Sequence, residues 1–113
     1  MAELAELQHV TGPDGLVRAR VSGELDAASA PRVRARLDEA LAGADATGMV
    51  LDLAPLQFMD SAGVELLFRL RETLATRGLR LTLVVPAASP VRRTLEVSQG
   101  GQQLLDIVEP PSA

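Results

Sequence analysis

A single α/β domain built on a mixed sheet of four to five strands, packed with three to four helices, follows from three features of the sequence. Leu16 to Ser22 and Leu79 to Val85 alternate with a period of two, as half-buried strands do. Ala30 to Leu41 and Gly63 to Leu74 carry apolar residues at helical spacing. Strands joined through helices of that length need crossover connections, so part of the sheet must be parallel. At 113 residues the chain has room for one core and too little for two.

The elements read in order along the chain. Leu4 to Val10 reads as a first strand with poor alternation, and Pro13, Asp14 and Gly15 supply a turn. In the strand that follows, Val17, Ala19 and Val21 share one face and Arg18 and Arg20 the other, which predicts a hairpin. After Gly23-Glu24-Leu25-Asp26 comes a helix, with Ser29 as the expected N-cap and Pro31 in the first turn. Ala30, Val33, Leu37, Ala40 and Leu41 form its buried stripe, while Arg32, Arg34 and Arg36 point away as a solvated face or a docking patch.

Met49 to Leu53 is apolar except for Asp52 and reads as a strand buried on both faces. Beyond Pro55, Leu56 to Met59 leads into Asp60-Ser61-Ala62-Gly63 and a second helix, which runs to about Thr76 and closes at Gly78. Ser89-Pro90 opens a third helix, with Val91, Leu95 and Val97 as its apolar positions and Gly100-Gly101 as its end. Leu104 to Val108 is a last apolar piece, either a short strand or a helical turn. Core structure is expected over about 4–108, with 109–113 as a flexible tail.

Composition narrows the function classes. Hydrophobic residues make up 47% of the chain, enough for a folded core, but aromatics supply only 2%. Few stacking platforms and a net charge of −4 argue against nucleic acid as a direct partner. Without cysteine there are no disulfides or thiolate metal sites, which fits a cytoplasmic protein. No apolar run approaches the roughly 18 residues of a membrane span. One histidine and scattered carboxylates do not make a metal site, and nothing in the sequence calls for a cofactor.

The informative segment is the strand-to-helix junction at Ser61. A serine there can cap the helix, a purely structural task. The same free N–H groups and the helix dipole would also accept a phosphate carried on that serine. On the helix itself, Gly63, Leu66, Leu67, Leu70 and Leu74 share the face that should meet the sheet. Gly63 on that face permits close approach. Val64 and Phe68 lie on a different shoulder, where neighbouring loops or a partner could cover them.

Gly23-Glu24-Leu25-Asp26, the strand Val50 to Leu53, the helix Val91-Arg92-Arg93-Thr94-Leu95 and above all Phe58-Met59-Asp60-Ser61-Ala62-Gly63-Val64 resemble the STAS domain. More narrowly, they resemble the bacterial anti-sigma factor antagonists. The resemblance implies a non-catalytic domain that binds an anti-sigma factor and is phosphorylated by that factor, a serine kinase that supplies the ATP. It places the phosphate on Ser61, with Asp60 shaping the site and Asp26 nearby; together with Ala62, Gly63 and the Val64 and Phe68 shoulder these are the expected partner contacts. A phosphatase would reverse the modification. Two departures stand out: Ala62 replaces the second hydroxyl many relatives carry, and Ser98 to Gln103 replaces their compact turn, so a final helix is expected to be shortened or lost.

Two rival readings follow. A STAS subunit of a transporter or sensory complex would keep the fold and change the assembly. A hydrolase would need a nucleophile elbow, but Met59 stands where that motif requires glycine, and His9 is the only histidine available as a base.

Overall fold

Residues 5–42 and 45–111 are described in the computed structural model of the chain. The elements are β1 (Glu6–Thr11), β2 (Leu16–Leu25), α1 (Ala30–Ala42), β3 (Gly48–Asp52), β4 (Leu56–Met59), α2 (Ser61–Thr76), β5 (Arg80–Val84), α3 (Pro90–Ser98) and β6 (Asp106–Val108). The sheet therefore has six strands where four to five were expected. Three helices accompany it among the described residues, with no fourth after β6. Leu4, the expected start of the first strand, lies outside the described residues.

The predicted hairpin forms: β1 pairs antiparallel with β2, Leu7 opposite Val21 and Thr11 opposite Val17. Its turn is fixed by Asp14, whose Oδ1 accepts the Leu16 N–H at 3.0 Å, and by Gly15 at φ 81°. Every other pairing is parallel, and the order is β1-β2-β3-β5-β6 with β4 also on β2. β2 runs three residues further than the sequence suggested, and that extension pairs with β4. The register slips there, because Gly23 pairs with Leu56 but Glu24 pairs with Phe58. The extra residue, Gln57, breaks the alternation of β4 and lets Leu56 and Met59, three apart, both face the core. Gly23, at φ 87°, supplies the backbone freedom this irregularity uses.

Strand register sorts the side chains cleanly. Leu7, Val17, Ala19, Val21, Met49, Leu51, Leu81 and Leu83 are buried on the helix face. On the opposite face Arg18, Arg20, Val50, Asp52, Thr82 and Val84 are all at least partly exposed. β3 is thus covered on one face only, against the expectation of burial on both. Val50 and Asp52 remain half-buried because all three helices pack on the other side.

The helical stripes agree residue for residue with the spacing argument. Ala30, Val33, Leu37, Ala40 and Leu41 are buried on α1, and Gly63, Leu66, Leu67, Leu70 and Leu74 on α2. α2 ends in a Schellman arrangement: the Gly78 N–H donates to the Ala75 carbonyl and the Leu79 N–H to the Leu74 carbonyl, both at 2.9 Å, with Gly78 at φ 71°. In α3, Ser89 caps through the Val91 N–H, and Val91 and Leu95 are buried, whereas Val97 is 73% exposed. Val97 lies two residues past Leu95, about 200° around the helix, so it cannot share that stripe.

The departure at Ser98 to Gln103 has its own solution. Gln99 is buried, and its side-chain Oε1 accepts the N–H groups of Leu104 and Leu105 at 2.8 and 2.9 Å. One amide thereby closes the loop that leads into β6, which settles the last apolar piece as a strand. Arg92 then ties the strand's exit, donating to the Val85 carbonyl at 2.8 Å and to Glu109 at 2.6 Å.

Candidate functional site

Two parallel strands end side by side. Leu25 of β2 pairs with Met59 of β4, and the Asp60 N–H donates to the Leu25 carbonyl at 3.2 Å. Asp26 and Asp60, the next residue on each strand, therefore stand next to one another where the chain leaves the sheet for α1 and α2. The register thus joins two motifs that lie 34 positions apart in the sequence.

Asp60 caps α2, and Asp26 closes the turn that enters α1. Asp60 has extended backbone angles, and its Oδ1 accepts the N–H groups of Ala62 at 2.9 Å and Gly63 at 3.3 Å. Asp26 accepts from the N–H groups of Ala28 and Ser29, both at 3.0 Å, and its own N–H donates to the Ser29 hydroxyl oxygen at 3.0 Å. That reciprocal exchange is built like a capping box, with the serine in the third position. Ser29, expected as the cap of α1, is instead the buried responder; its hydroxyl donates back to the Glu24 carbonyl at 2.9 Å. The Ser29 N–H, foremost, holds the Asp26 carboxyl below its usual range, and the Ser29 hydroxyl and Ala28 N–H add to this against the opposing effect of burial.

The capping role expected of Ser61 belongs to Asp60. Ser61 is the first residue of α2, exposed, and its hydroxyl makes no hydrogen bond among the described residues. It sits at the N-terminal end of a 16-residue helix, where the dipole favours negative charge, although Asp60 already accepts the N–H groups of Ala62 and Gly63. Asp26 and Asp60 flank it, and Glu65 lies one turn further on.

Gly63 closes the junction from beneath. A Cβ there would meet Met59 Cγ at 2.6 Å and the Leu25 carbonyl oxygen at 3.0 Å. The absent side chain sets how closely α2 approaches the paired strand ends. Ala62, Val64 and Phe68 are half-buried and pack against the core. Beside the junction lies a groove of about 360 Å³ between α1 and α2, floored by Ala30, Pro31, Ala62 and Leu66 and rimmed by Arg34, Glu65 and Arg69.

Of the expected site residues, Asp26, Asp60, Ser61, Ala62 and Gly63 come together at this one end of the sheet. Val64 and Phe68 follow on α2. Phe58, one of only two phenylalanines in the chain, is 46% exposed on β4 three residues before Ser61; it opens the motif but is not among the expected contact residues. The regular alternation of a strand would bury it with Leu56; only the register slip turns it outward. His9 stands on β1 opposite Ala19, and among the described residues no hydrogen bond joins it to Ser61. Among the described residues no three His, Cys, Asp or Glu side chains gather as a metal site. No described helix is long and apolar enough to cross a membrane.

Known proteins share this architecture and sequence. The chain is 34% identical over 84 residues to the anti-sigma F factor antagonist of Paenibacillus polymyxa, covering 74% of this chain and 71% of that one. The fold superposes on the anti-sigma factor antagonist SpoIIAA in its unphosphorylated form with a TM-score of 0.69 at 26% identity, covering 94% and 90% of the two chains. The Bacillus cell fate determinant SpoIIAA in the phosphorylated form gives 0.62 at 29%, over 94% and 92%. The STAS domain family matches residues 8–103, which takes in most of β1 and every element from β2 to α3, together with both aspartate junctions. The chain belongs to the STAS domain family, among the anti-sigma factor antagonists.

Proposed function

We propose that this chain is an anti-anti-sigma factor switched by phosphorylation of Ser61. Unphosphorylated, it docks the end of the sheet that carries Asp26, Asp60 and Ser61, together with α2, on an anti-sigma factor, and so frees a sigma factor for transcription. The anti-sigma factor, a serine kinase that brings its own ATP, phosphorylates Ser61 and lets go; a phosphatase restores the hydroxyl. The chain itself catalyses nothing and works in the cytoplasm.

The observation that carries this reading is the state of Ser61. Because Asp60 holds the cap, the Ser61 hydroxyl is exposed and unengaged, so a kinase can take it without dismantling the helix entrance. The resulting phosphate adds about −1.5 to −2 charges at an N-terminus that tolerates them in the free protein. In the complex that charge must be desolvated beside Asp26, Asp60 and Glu65. Each 1.4 kcal/mol weakens binding about tenfold, so roughly 3 kcal/mol is enough to dissociate the pair.

The test combines the purified chain with a serine-kinase anti-sigma factor and Mg-ATP, followed by intact-mass and fragment mass spectrometry. One phosphate on Ser61, absent from Ser61→Ala, is the expected result, and the phosphorylated chain should bind that factor at least 100-fold more weakly. Stoichiometric phosphate on another residue, or on Ser61→Ala, removes the site assignment. Equal affinity of both forms removes the switch.

A further inference from the structure

The arginine run of α1 borders the edge strand of the sheet, and we infer that β1 and α1 form a docking edge for an extended acidic peptide segment. This surface is separate from the phosphorylation reading and stands or falls without it.

The first observation concerns the edges. A strand at a sheet's edge offers unpaired N–H and C=O groups to any passing chain, and proteins usually blunt it. The β6 edge is blunted: three residues long, begun by Asp106 and followed by Pro110 and Pro111. The β1 edge is not. It is six residues long, Glu-Leu-Gln-His-Val-Thr, with no proline or lysine, and Val10 is 62% exposed.

The second observation is the charge beside that edge. A groove of about 340 Å³ runs between β1 and α1, floored by Leu7 and Val33 and lined by Arg32, Arg36, Glu6 and Gln8. The three arginines of the run have different fates. Arg34 is committed, donating to Asp38 at 3.1 Å and Thr73 at 2.9 Å. Arg32 donates to the Ala5 carbonyl, pinning the entry of β1. Arg36 has no ion-pair or hydrogen-bond partner among the described residues. In a chain of net charge −4, two arginines along an open strand edge form a local basic rail.

The spacing fits the occupant. Alternate side chains of an added strand are about 6.7 Å apart, and residues four apart on a helix about 6 Å. Acidic residues at every second position, on the helix side of the added strand, can therefore meet Arg36 and Arg32 in turn. The intervening residues would extend the open sheet face beside Val10. Glu6 borders the same groove, and the two arginines outnumber it. Main-chain pairing supplies affinity and the two arginines select the charge, as in other β-augmentation sites.

The experiment uses the full chain and a fluorescein-labelled Val-Glu-Val-Glu-Val-Glu peptide, read by fluorescence anisotropy and by amide shifts in a nitrogen-labelled sample. The matching Val-Lys peptide is the charge control. The Val-Glu peptide N-methylated on one edge or the other blocks pairing while keeping its side chains. The acidic peptide should bind at least tenfold tighter than the basic one, with the largest shifts on residues 6–11. N-methylation of one edge should weaken binding at least tenfold, and Arg36→Glu should do the same while leaving the remaining amide spectrum unchanged. Absence of saturable binding, indifference to N-methylation on either edge, or shifts centred elsewhere would each overturn the inference. Sedimentation of the chain alone closes the last alternative: a dimer that protects β1 assigns the edge to a second copy and not to an acidic segment.

Discussion

Asp26 and Ser29 exchange hydrogen bonds, and the charge on Asp26 is part of that exchange. The Ser29 N–H favours the carboxylate over the acid, so the folded chain holds Asp26 below the ordinary value of 3.8. A depressed folded pKa contributes stability that is present above the unfolded value and disappears as pH falls through the folded one. Asp26→Asn should therefore be less stable than the parent at pH 6, with the gap closing as the pH is taken below about 3.8. Urea denaturation across that range reads it directly. A gap that stays constant with pH would mean that the carboxylate's charge has no part in the turn. Gly63 makes a second residue-scale prediction. A methyl group there meets a backbone carbonyl at 3.0 Å as well as the more yielding Met59 side chain. Gly63→Ala should cost about 1–3 kcal/mol through overpacking, since the gain in helix propensity is only about 1 kcal/mol. Equilibrium unfolding that shows a neutral or stabilised variant would remove the close-approach role.

At the scale of elements, helices were easier to read than strands, for a physical reason. A helix that packs on a sheet buries one stripe, and that stripe is written every three or four residues. The buried sets of α1 and α2 were therefore legible in full. Caps were harder. Asp60 and Ser61 are adjacent and both suit an N-cap; the choice rests on the extended backbone of Asp60, which its bond to Leu25 on a distant strand enforces. β4 hides its outward Phe58 because the slip at Gly23 belongs to a strand pairing and not to either segment alone. β6 has three residues, too short for periodicity, and depends on Gln99 to deliver it to the sheet. Replacing that amide tests the dependence. Gln99→Leu leaves the Leu104 and Leu105 N–H groups without their acceptor, and one of them is in a buried setting. A loss of about 1–3 kcal/mol is expected, accompanied by faster hydrogen exchange at residues 104–108. Unchanged exchange there would show that β6 holds itself in place.

Across the whole molecule, the two-layer arrangement separates what is rigid from what is chemically variable. All three helices pack on one face of the sheet, and the Asp26 and Asp60 junctions lie at one end of it, where the strands are already fixed by pairing. A charge added to Ser61 meets the N-terminus of α2, worth about 0.3–1 kcal/mol in its favour, and the neighbouring carboxylates, which oppose it by a similar amount. These effects nearly cancel in the free chain, whereas a partner's surface would exclude the water that screens them. On the proposed function, phosphorylation therefore acts at the contact and leaves the fold as it was. A change of 1 kcal/mol moves the melting temperature of a domain this size by roughly 4–8 °C. Stoichiometrically phosphorylated chain should melt within that interval of the unmodified form, while its affinity for the anti-sigma factor falls at least 100-fold. A much earlier melt paired with the same loss of affinity would replace the electrostatic account with one in which phosphate opens α2, because unfolding the docking helix would then be sufficient to break the complex.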